Sequence, residues 1–567
     1  MESGGVRRKA CDLCYRKKIK CDGKKPLCSH CVTYASDCTY GCTSRKKKPR
    51  RKEPDKPEAD QQDRVKFLEA HIKALEQKIE VMTSLSSGLQ SIPAEMITPQ
   101  SDEPIPPRAG PFSSSASANL PPQEEVLPIV EHYLTTSNSQ LPLFHPRTLL
   151  SMVRAWYQEP HTRDPITWAA INIVLALGLQ FDNPKSAANY AMHAQSMLTQ
   201  VTTGQVTIVN VQILLGLVMF LYGIYDFGPP SMLIAIALRL AQQLGLHTRM
   251  SSQGLDPHLQ LQRARVFWIA YILDRDISLR IRQAPIHQDD DIDLDLPGES
   301  ASDEAGQVLA PDGQRRMNFF RARVLLARIE GRYYHLRYSV KAASASTDEQ
   351  AKAMAAMRQQ LDEWDSQVPH AFSPRALCED EDDVSGLTRS FTMLFATRLT
   401  CMCVASQAST MNLMWIESLR NFGRTAIAGL GPSLTPLPTN WQTLVEDSRD
   451  FLKLFMGFKK RDSTFIWTAL CGFGSGILCL TANNMCDPYH PSAEDDILLV
   501  ESALRVMEAW TEEVNINWVS RVRDTCRELA SHARYIVEHK QLPHIPIFNG
   551  LLVDGPFLNS FLLSKND

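Results

Sequence analysis

Six cysteines stand within 28 residues, CDLCYRKKIKCDGKKPLCSHCVTYASDC, at positions 11, 14, 21, 28, 31 and 38. Their spacing, C-x2-C-x6-C-x6-C-x2-C-x6-C, contains its own repeat: Cys11, Cys14 and Cys21 recur 17 residues later as Cys28, Cys31 and Cys38. A C-x2-C pair at a turn into a helix aims two sulfurs at one metal ion. Zinc takes four tetrahedral ligands, so two ions need eight ligand positions, and six thiolates fill eight only where two of them bridge. The repeat makes the bridging pair equivalent residues, such as Cys11 with Cys28. Six thiolates around two divalent cations leave a net charge of about −2, which neighbouring Lys and Arg can offset.

Other cysteine chemistries fit less well. The basic start, MESGGVRRKA, has no apolar stretch behind its charges and is expected to carry no secretory signal. The eight remaining cysteines, at 42, 378, 401, 403, 471, 479, 486 and 526, follow no framework spacing. Both features point to a reducing compartment rather than a disulfide scaffold. A RING- or LIM-like finger would normally use more ligands, commonly with His among them, and a [4Fe–4S] site uses four cysteines in another arrangement. The expected cofactor is two zinc ions per chain.

The two halves differ in what lies between their cysteines. Arg16, Lys17, Lys18 and Lys20 follow the first pair, whereas residues 32–37, VTYASD, carry no positive charge. Lysine and arginine neutralise phosphates and donate to guanine O6 and N7, so the first half is the one equipped to face double-stranded DNA. Charge over the whole chain agrees. Residues 1–52 hold 16 Lys+Arg against 4 Asp+Glu, leaving 44 against 59 for the remainder, so a basic end sits on an acidic body.

Residues 10–40 closely resemble the fungal zinc binuclear-cluster, or Zn(2)-C6, transcription factors, through the full six-cysteine spacing and the RKKIKCD segment. The resemblance implies that Cys11 and Cys28 bridge, that Lys17 and Lys18 read bases, and that Pro26 turns the chain between the halves. It also implies CGG-type half-sites, a nuclear location and a role in transcription.

Elements that would position such a reader follow it. The segment DRVKFLEAHIKALEQKIEVM places Val65, Leu68, Ile72, Leu75, Ile79 and Met82 alternately three and four apart. β-Branched residues at every a position with Leu or Met at d favour a parallel two-stranded coiled coil, hence a homodimer. The run RKKKPRRK, comprising Arg45, Lys46, Lys47, Lys48, Arg50, Arg51 and Lys52, is expected to touch phosphates and to serve nuclear import. Composition then divides the chain into a basic disordered arm (1–10), the DNA-binding module (11–40), a basic linker (41–62) and a dimerisation helix (63–90). A Pro/Ser-rich disordered linker (91–122), a large all-α body (123–540) and a tail (541–567) complete it.

In the body, helical apolar patterns recur at 166–181, 211–225, 264–280, 388–415 and 497–518. The segment SMLIAIALRLAQQLG is expected to start at Ser231 after Pro229-Pro230, to bury Leu233, Ile236, Ala237, Leu240 and Leu244, and to stop at Gly245. No charge occurs between Asp462 and Asp487, yet glycines and polar residues dilute that stretch, which reads as a buried core helix with no membrane partner. QDDDIDLDLP offers Asp289, Asp290 and Asp293 as a D-D-x-x-D magnesium motif. Pro285 and Pro297 bracket it as a solvated loop, so no enzyme is read from it.

LPLFHPRTLL, WAAINIVLALGLQ, IALRLAQQLGLHTR and RVFWIAYILDRDISLR resemble the fungal-specific transcription factor domain over about 127–300. That resemblance implies a regulatory region answering coregulators or a small effector, with Arg265, Trp268, Tyr271, Asp274 and Arg280 as scaffold. The sum is a zinc-dependent, homodimeric activator of metabolic or biosynthetic genes. A repressor of such genes and a zinc-stapled protein-interaction scaffold are the rival readings.

Overall fold

Two five-residue helices, Asp12–Arg16 and Ser29–Thr33, open the chain, each beginning one residue after the first cysteine of a C-x2-C pair. The computed structural model describes residues 10–39 apart from 18, 19, 35 and 36, and residues 120–539 apart from 223–227, 301–302, 381–385, 411, 431–436, 439–440, 460, 462 and 515. The chain separates into two compact units, Met1–Ala109 and Gly110–Asp567. The heptad residues Val65 to Met82, the basic run 45–52 and the tail 541–567 lie outside the described residues.

Helices run through the second unit from Gln123–Thr135 to Asn517–His539. Several start where Asp or Asn stands directly before Pro. The Asp164 carboxylate accepts from the Ile166 and Thr167 N–H groups and opens Pro165–Leu179; Asp256 does the same for Pro257–Ile281 through His258 and Leu259. Proline at the first helical position has no N–H to orphan, while the cap satisfies the free donors that follow.

Two apolar cores share this unit. Residues from Val126 to Ile277 form one, and residues from Leu326 to Ile536 form most of the other. Helix Phe319–Arg337 serves both through two stripes: Phe320, Val324 and Ala327 face the first core, and Phe319, Ala322, Leu326, Ile329 and Tyr333 face the second. Spacings of three and four on each stripe give two faces of one helix.

The apolar helix Ser463–Cys486 is long and apolar enough to cross a membrane, and 94% of its most apolar window is buried among other helices. A Cβ on Gly472 would lie 2.7 Å from the Ala396 carbonyl oxygen and 3.1 Å from its Cα. That contact is with backbone of helix Thr388–Ala405, which cannot swing aside as a side chain can. Gly472→Ala is therefore expected to cost about 1–3 kcal/mol by overpacking, read as a lower denaturation midpoint of the intact chain.

Two expectations need correction. The body is not purely helical: Gln307–Leu309 pairs antiparallel with Arg316–Asn318, in the register Gln307↔Asn318, Val308↔Met317 and Leu309↔Arg316. Pro311-Asp312-Gly313 turns this hairpin, with Gly313 at φ 69° and Asp312 accepting from the Gln314 and Arg315 N–H groups. The second correction concerns the SMLIAIALRL helix, which runs Gly228–Gln243 and takes Pro229-Pro230 into its first turn. Ser231 donates its hydroxyl back to the Gly228 carbonyl instead of capping. The buried stripe includes Ile234, Leu238 and Ala241 and leaves Ile236 outside; Gly245, at φ 69°, follows the helix as expected.

Candidate metal centre and nucleic-acid interface

The repeat in the sequence becomes a repeat in space. Cys11 Sγ lies 3.7 Å from Cys28 Sγ and 3.6 Å from Cys31 Sγ, and Cys14 Sγ lies 3.7 Å from Cys28 Sγ. These are not disulfides, and the described cysteines are all free. Four sulfurs at about 2.3 Å from a zinc ion would stand about 3.8 Å apart along each tetrahedral edge, close to the observed separations. The thiols form two groups of four, Cys11–Cys14–Cys21–Cys28 and Cys11–Cys28–Cys31–Cys38, each able to hold one metal ion. Cys11 and Cys28 belong to both.

The same offset of 17 organises the hydrogen bonds. Asp12 donates its N–H to the Thr39 carbonyl at 2.8 Å and accepts from the Thr39 hydroxyl at 2.9 Å. At the equivalent positions, Ser29 donates its N–H to Asp22 at 3.2 Å and its hydroxyl to the same carboxylate at 2.5 Å. Each half is thus closed by a residue of the other. The Ser29 hydroxyl holds the Asp22 carboxyl below its ordinary range.

Little else holds the described part of this unit together. Its buried apolar residues are Leu13 and four of the cysteines. A core that small does not offset the chain entropy lost on folding, so metal ligation must contribute most of the stability. The Cys14 N–H pulls Cys11 down to about 6, while burial pushes Cys14 and Cys31 well up. A cation between the sulfurs favours the thiolate form of its ligands.

Around this centre Lys17, Lys20, Lys24 and Lys25 are exposed. Lys18 lies outside the described residues, and of Arg16 only the backbone, in the first helix, is described. Lys17 Nζ stands 3.7 Å from the centroid of the Tyr34 ring. Pro26 sits in the exposed loop between the halves, joined to Lys25 by a cis peptide.

The body residues singled out by sequence are scaffold. Arg265 makes a two-pronged pair with Asp303 at 2.7 and 2.5 Å, and Trp268 Nε1 donates to the Asp295 carbonyl. Asp274, almost fully buried, accepts from Arg275 at 2.5 Å and from the Ile286 N–H at 3.0 Å. The aspartate run is a short 3-10 turn, Asp289–Asp291. Asp289 accepts from Tyr271 at 2.9 Å and from Arg275 at 2.7 Å, while Arg249 pairs with Asp293 and Asp295. The loop is exposed as expected, but arginine pins it rather than water alone.

Sequence reading missed a buried ionic cluster. Asp276 pairs with Arg280 at 3.3 Å and Arg323 at 3.5 Å, Arg323 reaches Glu330 at 3.6 Å, and Tyr222 donates to Asp276. Asp276–Arg280 is visible as an i,i+4 pair, but Arg323 and Glu330 come from another helix.

Two groups of four thiols that share Cys11 and Cys28, beside the exposed Lys17, Lys20, Lys24 and Lys25, form a candidate metal-dependent DNA-binding module. Residues 9–51 match the fungal Zn(2)-Cys(6) binuclear cluster domain and residues 130–366 the fungal specific transcription factor domain. Both domains of the fungal Zn(2)-Cys(6) transcription factors are therefore present: the cluster domain binds two zinc ions, and the pair implies DNA binding and transcription regulation rather than catalysis. An ABC-transporter-regulating transcription factor of Aspergillus oryzae is 25% identical over 94% of this chain and 73% of its own length. A protein of the same description from Aspergillus fumigatus matches to the same extent. The fusaridione A cluster transcription factor of Fusarium heterosporum is 23% identical over 75% of this chain and 80% of its own.

Proposed function

We propose that the chain is a nuclear, homodimeric activator that reads paired CGG-type half-sites. The sharing of Cys11 and Cys28 between the two thiol groups carries this reading, because it is the arrangement that lets six ligands serve two zinc ions. Cys14 and Cys21 complete one site, and Cys31 and Cys38 the other. Lys17 and Lys18 read base edges, while Arg16 and Lys20 neutralise phosphates. Val65, Leu68, Ile72, Leu75, Ile79 and Met82 pair two modules, since one small finger gives too little contact for a selective site. The run Arg45–Lys52 adds phosphate contacts and directs nuclear import.

The helical body, 123–540, receives coregulators or a small effector and converts that signal into transcriptional output. Relatives named for ABC-transporter regulation and for a fusaridione A cluster support target genes in transport or specialised metabolism.

Selection from a random duplex pool by the intact zinc-loaded chain, at near-physiological salt, tests the reading. Paired CGG-like triplets at one spacing are expected. A single triplet would remove the pairing helix from the account, and no enrichment would leave a protein-interaction scaffold. Lys18→Ala is expected to relax base choice at one position by about 1–3 kcal/mol. An equal loss across all sequences would make Lys18 a phosphate contact.

A further inference from the structure

Lys17 and Tyr34 occupy equivalent positions of the 17-residue repeat, and they meet. Each follows its short helix directly. The Lys17 N–H donates to the Leu13 carbonyl at 3.0 Å and the Tyr34 N–H to the His30 carbonyl at 2.9 Å. Both carry the chain one residue past a helix end. The offset that superposes Cys11 on Cys28 therefore brings these two side chains together, with the ammonium over the ring face.

We infer that Tyr34 is a positioning residue for DNA reading, its ring holding the Lys17 ammonium at the module surface before DNA arrives. The inference rests on the assignment of Lys17 to base reading. Three observations carry it. The contact joins the halves at the surface, since Tyr34 is 51% exposed and Lys17 is exposed beside it. It is therefore not needed to fill a core. The described residues of the second half, 29–34 and 37–39, include no lysine or arginine, so the ring adds no competing cation at that place. A lysine ammonium has three donors; a ring covering one side leaves the others directed outward.

The physical gain is entropic. A free lysine has four rotatable bonds to immobilise when it docks on a base edge, and each such side chain costs affinity on binding. A lysine already held on an aromatic face has paid part of that cost during folding. Specificity benefits more than general affinity, because phosphate attraction tolerates a mobile ammonium and a base edge does not.

The test is the same pool selection, run on the intact zinc-loaded chain and on Lys17→Ala, Tyr34→Ala and Tyr34→Phe. Metal content of two zinc ions per chain serves as the folding control. Lys17→Ala is expected to erase the preference at one base position. Tyr34→Ala should weaken preference at that same position by about twofold to fivefold and leave the other positions unchanged. Tyr34→Phe keeps the ring without the hydroxyl and should restore it. If Lys17→Ala alters no position, base reading by Lys17 fails and the role of Tyr34 falls with it. If Lys17→Ala erases a preference while Tyr34→Ala leaves it intact or sharpens it, base reading stands and the positioning role is wrong. Loss with both Tyr34 variants would assign the effect to the hydroxyl and overturn the ring-based account. Uniform loss at every position would do the same, making Tyr34 a structural residue.

Discussion

Cys11→Ala should leave the intact chain without tightly bound zinc, whereas Cys14→Ala should leave at most one ion. The difference follows from the sharing of sulfurs. Cys11 belongs to both groups of four, so its removal reduces each to three ligands. Cys14 belongs to one group, and its loss leaves Cys11, Cys28, Cys31 and Cys38 together. Structural zinc contributes about 10–16 kcal/mol in small cysteine-rich modules, far above what Leu13 and a few thiols can replace. Both variants should lose selective DNA binding, since the lysines proposed to face DNA lie between Cys14 and Cys21. Elemental zinc per chain distinguishes them. Equal retention of one ion by both would mean that Cys11 does not bridge.

Asp276→Asn should destabilise the helical body by about 3–5 kcal/mol, the cost of removing one partner from a buried charge pair. Burial opposes ionisation of Asp276, but Arg280 and Arg323 more than offset it and hold the carboxyl below its ordinary value. Without that carboxylate two buried guanidinium groups lose their nearest counter-charge. Glu330 behaves oppositely. Burial pushes it up to about 8, and Arg323 offsets that only in part. The folded chain therefore keeps a proton on Glu330 that the unfolded chain releases above about 4.5. Because the native state binds more protons in that window, this group's contribution to stability declines as pH rises from about 4.5 to 8, then levels. Glu330→Gln should remove that decline, leaving stability near that of the unsubstituted chain at low pH and above it beyond pH 8. Denaturant midpoints at pH 5, 7 and 9 would show it; a Gln variant with the parent's pH slope would contradict the assignment.

What the sequence revealed and what it hid divide by distance along the chain. The six thiols lie within 28 residues, where spacing alone limits the geometry, and the repeat already named equivalent bridging residues. Helix starts at Asp164-Pro165 and Asp256-Pro257 are local cap chemistry of the same kind. Ser231 misled because Pro229-Pro230 can sit inside a first turn as well as before one. The hairpin at 307–318 had a readable turn in Pro311-Asp312-Gly313, but its strands are three residues each, too short for alternation to register. Arg323 and Glu330 reach Asp276 from about 50 residues away, and no periodicity within one helix announces a contact with another. Tyr34 lies between these cases. The offset of 17 marks it as the partner position of Lys17, while only the folded module brings the equivalent side chains into contact.

On this proposal the DNA reader is folded by two zinc ions that share ligands. Its most direct test is a titration: remove zinc from the intact chain under reducing conditions, then follow selective binding to the recovered site as zinc is returned. Selective binding should be absent without metal and complete only as the second equivalent per chain is bound. Selective binding that persists without zinc, or is complete at one equivalent, would contradict it.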